Sequence, residues 1–284
     1  MLGVFNEPFM KYALAGALIS GGICSFIGVY VVLKRIVFIS IALSETAALG
    51  ITFGLLIGAK YPDFFMAKYP GSIAFILTIS AAIAAWFPSR SRKFSSESIV
   101  GYAYAVSAGL TIILLSKFPA IEAHGVDIIS GNILYINTAD IITLAITASL
   151  LFIIHIVFYR GFLFSSFDRD TAAVNGIKAN LYDIVIYITI GIAIAVTMQA
   201  AGILMVFSSL LIPPMLAINL FKRLPAIFIT SVISCLFCAF WGLIFSYKLN
   251  LPTGPAISII YAGFFVFVIL IRFFFMRILL PSLK

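Results

Sequence analysis

Long apolar runs separated by short basic gaps are the feature that most constrains the fold of this chain. The runs are roughly 18 to 25 residues long, the length of an α-helix that crosses a bilayer. They lack the alternation with a period of two that marks a membrane β-strand. Because only helices and closed barrels satisfy backbone hydrogen bonds in lipid, the sequence predicts an all-α integral membrane protein.

The composition leaves no material for a water-soluble domain. Of the 284 residues, 63% are hydrophobic and only 10% are charged, whereas soluble domains carry about 25% charged residues. The mean hydropathy is +1.20. We therefore expect residues 1–284 to form a single transmembrane domain that is surrounded by the lipid bilayer.

Hydropathy divides the chain into about nine transmembrane helices. The sixth and seventh segments are nearly continuous, but one span of their joint length would far exceed a ~30 Å hydrocarbon core. The glycine-marked stretch at 198–202 separates them, and Pro213-Pro214 is expected to interrupt the seventh segment. The predicted segments are 12–33, 37–59, 71–88, 98–116, 139–159, 182–200, 202–220, 225–247 and 255–276.

The basic residues orient these segments. With the N-terminus outside, 13 of the 18 lysines and arginines fall on the cytoplasmic side, including every arginine. Cytoplasmic loops of membrane proteins carry such an excess of basic residues. The net charge of +8 is therefore interpreted as a topology signal, and no nucleic-acid partner is expected.

Glu45 is the single acidic residue that the segments place well inside the hydrocarbon. Burying a carboxylate there costs about 2.5–3.5 kcal/mol on insertion scales, which favours a functional role on an ion path. Ser40, Ser44 and Thr46 are close enough in sequence to bond it or to line the same path. A protonated side chain that bonds a neighbouring helix is the alternative. One carboxylate is too few ligands for a metal by itself.

The remaining polar candidates favour structural roles. His155 is expected to be a hydrogen bonder near the end of the fifth segment. Glu122, His124 and Asp127 are interpreted as a solvated outer loop with a short helix. The cysteines lie inside apolar runs, where we expect them to pack between helices and not to form disulfides: Cys24, Cys235 and Cys238.

The largest cytoplasmic connection spans residues 160–181 and contains a predicted short helix. Asp168 is a plausible N-cap, Asp170 suits the positive end of the helix dipole, and Asn175-Gly176 supplies a stop. A helix of about seven residues is too short to stand alone in water. It should therefore dock on another structure.

The sequence contains no Gly-x-x-x-x-Gly-Lys-Ser/Thr loop, the usual phosphate cradle of an ATPase. It also shows no serine–histidine or paired-carboxylate arrangement typical of an intramembrane hydrolase. We therefore expect a chain without its own ATPase site.

Four motifs follow one another along the chain. They are GVYVVLKR at 28–35 with IALSETAALG at 41–50, SFDRDTAAVNGI at 166–177, AGILMV at 201–206 with LIPP at 211–214, and LPTGP at 251–255. In their order and spacing these motifs resemble the permeases of bacterial zinc, manganese and iron ABC importers. The resemblance covers nearly the whole chain.

The resemblance implies a homodimeric permease in the bacterial cell membrane. A cytoplasmic ABC ATPase would use the ATP, and an extracytoplasmic binding protein would deliver a divalent metal ion as substrate, with no cofactor in this chain. Residues 160–181 would be the coupling segment that docks on the ATPase. Within it, the positions that match the family's coupling region are Asp168, Arg169, Asp170, Ala173 and Gly176.

The second segment departs from the family pattern. The family typically carries an aspartate and, four residues later, a histidine, where this chain has Ile41 and Glu45. The resemblance thus assigns the metal to Glu45, with Ile41 and Ser44 lining the pathway. Zinc favours nitrogen and sulfur ligands, whereas an all-oxygen site suits manganese or other hard ions. The metal stays open among manganese, zinc and iron.

Two other functions are compatible with the sequence. A permease of the same architecture could carry a metal chelate such as a siderophore or corrinoid, although a charged constriction at Glu45 argues against a wide path. A secondary transporter could use Glu45 as a proton or sodium carrier. Clear inverted repeats, which many such transporters have, are not visible in the sequence.

Overall fold

The computed structural model describes residues 8–61, 69–87, 96–118, 131, 133, 136–167 and 178–279. Long helices make up nearly all of this part of the chain, and it contains no strand. In chain order the helices are α1 (Pro8–Leu33), α2 (Val37–Lys60), α3 (Pro70–Trp86), α4 (Ser96–Lys117), α5 (Thr138–Val157), α6 (Tyr159–Phe167), α7 (Ala179–Leu220), α8 (Leu224–Leu249) and α9 (Thr253–Leu279).

Helix α7 has 42 residues but folds back on itself at Gly202. The φ and ψ angles of this residue are 74° and 168°, the one non-helical pair inside α7. Cys24 of α1 contacts both Thr197, before the break, and Ser209, after it. Because one residue touches both arms at the same depth, the arms run antiparallel. The predicted separation of the sixth and seventh segments at Gly202 is therefore confirmed.

The described helices account for all nine predicted segments. Seven of them, with α7 taken as one, are long and apolar enough to cross a membrane, and α3 is a shorter apolar helix of 17 residues. At 1.5 Å per residue α3 is about 26 Å long, close to the hydrocarbon thickness. With the two arms of α7 counted separately, the all-α membrane fold has the predicted number of spans.

The helix ends gather at two opposite ends of the molecule. At one end, Lys34 in the α1–α2 turn contacts Ser165 of α6 and Asp183 near the start of α7. At the other end, Gly71 at the start of α3 lies directly against Gln199, just before the reversal of α7. Among the described helix ends, these two groups lie at opposite ends of the molecule, as the predicted segments require.

The reversed helix α7 forms the centre of the packing. It contacts every other described helix except α4, which packs mainly on α2. Small residues allow the closest approaches. Gly28 of α1 lies on the backbone carbonyl of Leu210 in α7, and Gly50 of α2 lies on Ala74 of α3. Such small-residue contacts are typical of helices packed in membranes.

The expected interruption at Pro213-Pro214 is absent, since helical angles continue through both prolines to Leu220. Proline lacks an N–H group. The carbonyls of Ser209 and Leu210 therefore lack the helical hydrogen bond that residues 213 and 214 would otherwise donate. The Leu210 carbonyl faces Gly28 of α1, and both prolines are buried. Protein packing around the prolines lets the helix continue, and the break falls on Gly202 instead.

The three cysteines pack between helices, as the sequence predicts. All are buried and free. Cys24 Sγ lies 3.4 Å from Thr197 Oγ1, and Cys235 Sγ lies 3.0 Å from the Tyr261 hydroxyl. The thiols of Cys24 and Cys235 therefore take part in polar contacts between helices.

Candidate metal path and coupling region

Glu45 lies on a partly exposed stripe of α2. Phe38, Ile41 and Glu45 follow one another at helical spacing, and each is at least partly accessible, with Phe38 63% exposed. Glu45 is eight residues after Val37, which places it about 12 Å along the helix axis from its start. The structure thus puts the predicted metal ligand and the predicted path residue Ile41 on the same open face of α2.

The hydroxyl groups around Glu45 serve the helices and not the carboxylate. Ser44 is fully buried and donates to the carbonyl of Ser40 at 2.9 Å. Thr46 donates to the Ala42 carbonyl at 2.8 Å and lies 3.2 Å from the hydroxyl of Ser107 in α4. Ser44, assigned to the pathway together with Ile41, therefore points into the packing of this protomer.

The Glu45 carboxylate has no partner within the described residues. Neither a hydrogen bond nor an ion pair reaches it there. A carboxylate at membrane depth is costly unless it is paired, hydrated or bound to a cation. None of the described side chains of this protomer supplies that compensation.

The cavity nearest to this stretch is not itself a metal site. A space of about 500 Å³ opens between α2, α3 and α4. Its α2 wall consists of Ile39, Ala42, Leu43 and Thr46, the face adjacent to Glu45. The lining is overwhelmingly apolar, which suits a lipid chain or a neighbouring helix better than an ion.

The described residues contain no group of three or more His, Cys, Asp or Glu side chains that could hold a metal. A complete protein-ligated site within this part of one protomer is thus missing.

His155 belongs to the packed interior. It is fully buried in α5, and its Nδ1–H donates to the Leu151 carbonyl at 2.9 Å. Its Nε2 lies 3.4 Å from the Thr189 hydroxyl of α7. Aromatic rings of Phe26, Tyr30 and Phe162 surround it. The interpretation as a structural hydrogen bonder is supported, although the residue is deep in the protein and not interfacial.

Several predicted residues lie outside the described part of the chain. These are the outer-loop group Glu122, His124 and Asp127 and the coupling residues Asp168, Arg169, Asp170, Ala173 and Gly176. The helices that flank the coupling residues are described: α6 ends at Phe167 and α7 begins at Ala179.

Sequence reasoning missed a buried ion pair next to this region. Lys34 donates to the carboxylate of Asp183, and their side chains are 9% and 1% exposed. The segment prediction placed Asp183 just inside the sixth span, where an acidic residue needs a partner. The position of Asp183 inside a predicted span was a signal that it is paired. Only the fold identifies Lys34 as its partner.

Almost the whole chain matches one known protein family. Residues 6–272 match the family described as the ABC 3 transport family. This chain belongs to that family. The match covers almost every helix described above, so the whole membrane domain is the family domain.

Several relatives of this ABC 3 family chain are named as membrane proteins of metal transport systems. It is 27% identical over 276 residues to the manganese transport system membrane protein MntC of Halalkalibacterium halodurans, covering 96% of this chain and 89% of that protein. It is 25% identical to a probable iron transport system membrane protein of Haemophilus influenzae, covering 94% of each chain.

A solved structure has the same fold. One chain of PsaBC from Streptococcus pneumoniae in complex with Fab superposes with a TM-score of 0.80, at 20% sequence identity, covering 93% of this chain and 92% of that chain. The apolar helices and the family together place this ABC 3 family chain in the bacterial cell membrane as a multi-pass protein.

Proposed function

We propose that this chain is the membrane-spanning permease subunit of an ATP-binding-cassette importer for divalent metal ions. Membership of the ABC 3 transport family supports the transport role. The relatives named for manganese and iron transport support a metal ion as the substrate.

The observation that carries the proposal is the unpaired carboxylate of Glu45. It lies with Ile41 on an open stripe of α2, a helix whose next charged residue is Lys60 at its end, and it has no partner among the described residues. A cation that passes along this stripe compensates the charge. An apolar path without this charge would suit a large chelate better.

The ligand chemistry favours a hard ion. Glu45 supplies oxygen, and Ile41, where the family typically has an aspartate, supplies no ligand. Carboxylate, carbonyl and water oxygens suit manganese, whereas zinc favours nitrogen and sulfur. We infer that manganese is preferred over zinc.

A second copy of the chain completes the path. In a twofold dimer each residue is matched by its copy, so α2 of each protomer would contribute one Glu45 to a shared ion site. This arrangement gives the carboxylate the compensation that one protomer lacks, and it supplies the second ligand that a metal needs.

The driving force comes from a partner. A cytoplasmic ABC ATPase would dock on the coupling segment 160–181 and drive alternating access. The extracytoplasmic binding protein would deliver the ion at the opposite end, near the reversal of α7. The chain itself contributes neither an ATPase site nor a cofactor.

Reconstitution into proteoliposomes tests this function. The purified chain alone should neither hydrolyse ATP nor accumulate metal. Together with its ATPase and binding protein, it should take up manganese only when ATP is supplied. Uptake driven by a proton or sodium gradient without the ATPase would contradict the proposal and would favour a secondary transporter.

A further inference from the structure

The ion pair of Lys34 and Asp183 ties together three elements at one end of the protein. The Lys34 ammonium donates to the Asp183 carboxylate of α7 and, at 3.1 Å, to the Ser165 carbonyl of α6. These partners are 149 and 131 residues away in sequence. Both charged side chains are almost completely withdrawn from the surface.

The two partners of Lys34 flank the proposed coupling residues. Ser165 lies three residues before Asp168, and Asp183 lies seven residues after Gly176. The chain therefore enters and leaves the coupling residues at two points that are both bonded to one lysine. A displacement of the coupling segment that reaches α6 or α7 also reaches Lys34.

On its other side, Lys34 leads directly into the helix that carries Glu45. The α1–α2 connection consists of Lys34, Arg35 and Ile36, and α2 begins at Val37. Arg35 has a φ of 58°, and the turn is closed by hydrogen bonds from Arg35 N–H to Val32 and from Ile36 N–H to Val31. Because the turn is short and closed by hydrogen bonds, it cannot absorb a displacement. A movement of Lys34 therefore also displaces the start of α2.

We propose that Lys34 and Asp183 are positioning residues that transmit the state of the coupling segment to α2 and its Glu45. The inference rests on the proposed function. A buried ion pair contributes little net stability compared with a well-packed apolar pair, but breaking it by removing one partner is strongly destabilising. Such a pair therefore suits a rigid link between elements better than a source of stability.

Neutralising both partners separates transmission from folding. The single changes Lys34→Met and Asp183→Asn each remove one member of the ion pair, leave the opposite charge buried without its counter-charge, and should reduce the yield of assembled complex. The double change Lys34→Met with Asp183→Asn removes both charges at nearly constant volume. The double variant should assemble with the ATPase at wild-type yield and hydrolyse ATP, while its metal uptake per ATP falls about tenfold, a typical coupling effect.

Two control variants test the same link. Lys222→Met removes an exposed lysine from the α7–α8 connection and should leave uptake per ATP unchanged. Lys34→Arg keeps the charge and the pairing with Asp183 and should retain most of the coupling. The measurement is ATP hydrolysis and manganese uptake in the same proteoliposomes, with ATPase and binding protein present.

The outcomes are distinguishable. A double variant with wild-type uptake per ATP, or one that fails to assemble, overturns the inference, because either result makes the pair a packing element. Equal loss of coupling in Lys222→Met would also contradict it. If the wild-type complex shows no ATP-driven uptake, the proposed function fails, irrespective of the ion pair.

Discussion

Single glycines decide how the helices of this protein meet. Pro214 has no N–H to donate to the Leu210 carbonyl of α7. Because Gly28 has no side chain, α1 can pack directly against this carbonyl. Gly202 occupies a backbone region that is essentially restricted to glycine. Gly131, whose φ is also positive, lies against the backbone of Ala201 and Gly202 and covers the reversal.

Replacing Gly202 should therefore damage the protein, whereas a matched glycine should tolerate the change. Gly202→Ala forces an L-residue to φ 74° and ψ 168°, at a cost of about 1–3 kcal/mol. Gly101→Ala lies in the regular helix α4 with open space around the added methyl group, and it should be neutral or gain up to about 1 kcal/mol. Thermal unfolding in detergent compares the two, and equal midpoints would contradict the assigned strain.

At the scale of helices, the sequence was most informative where hydropathy alone decides the outcome. The segment at 225–247 became α8, Leu224–Leu249, and that at 139–159 became α5, Thr138–Val157. A capping box between Asn137 and Asp140 sets the start of α5. The helix begins at Thr138, one residue before the predicted start of the segment. Apolar length predicts spans because every span must bury its own backbone in lipid.

Labelling at the two ends of α8 tests the predicted orientation. Lys222 and Lys248 are exposed and lie just before the helix and in its last turn. In a background without the three native cysteines, Lys248→Cys should react with an impermeant thiol reagent added outside intact cells. Lys222→Cys should react only after permeabilisation. The reverse pattern would overturn the placement of the N-terminus outside and the C-terminus in the cytoplasm.

The whole molecule shows what hydropathy could not supply. The partner of Asp183 lies 149 residues away, and no local pattern encodes such a pairing. The continuity of α7 through Pro213-Pro214 depends on packing against α1 rather than on intrinsic preference. The sequence did identify Glu45, because a charge inside an apolar run is visible in one dimension, but only the fold shows that Ser44 points away from it.

These scales meet in one account of transport. Glu45 stands on the open face of α2 without a partner among the described residues, α2 starts directly after Lys34, and Lys34 is bonded to the two elements that flank the coupling residues. A second copy of the chain would complete the ion site, and an ATPase would move it. In this proposal Glu45 lines the metal path.

Manganese uptake by Glu45→Gln tests whether Glu45 lines the metal path. The change keeps the side-chain shape but removes the charge, so ATP-dependent uptake in proteoliposomes with ATPase and binding protein should fall by roughly tenfold or more, a loss typical of a damaged metal site. Glu97→Gln, an exposed position in the first turn of α4, is the matched control and should transport normally. Assembly should be unaffected in both variants. Wild-type uptake by Glu45→Gln would contradict the account and would leave Glu45 as a structural residue.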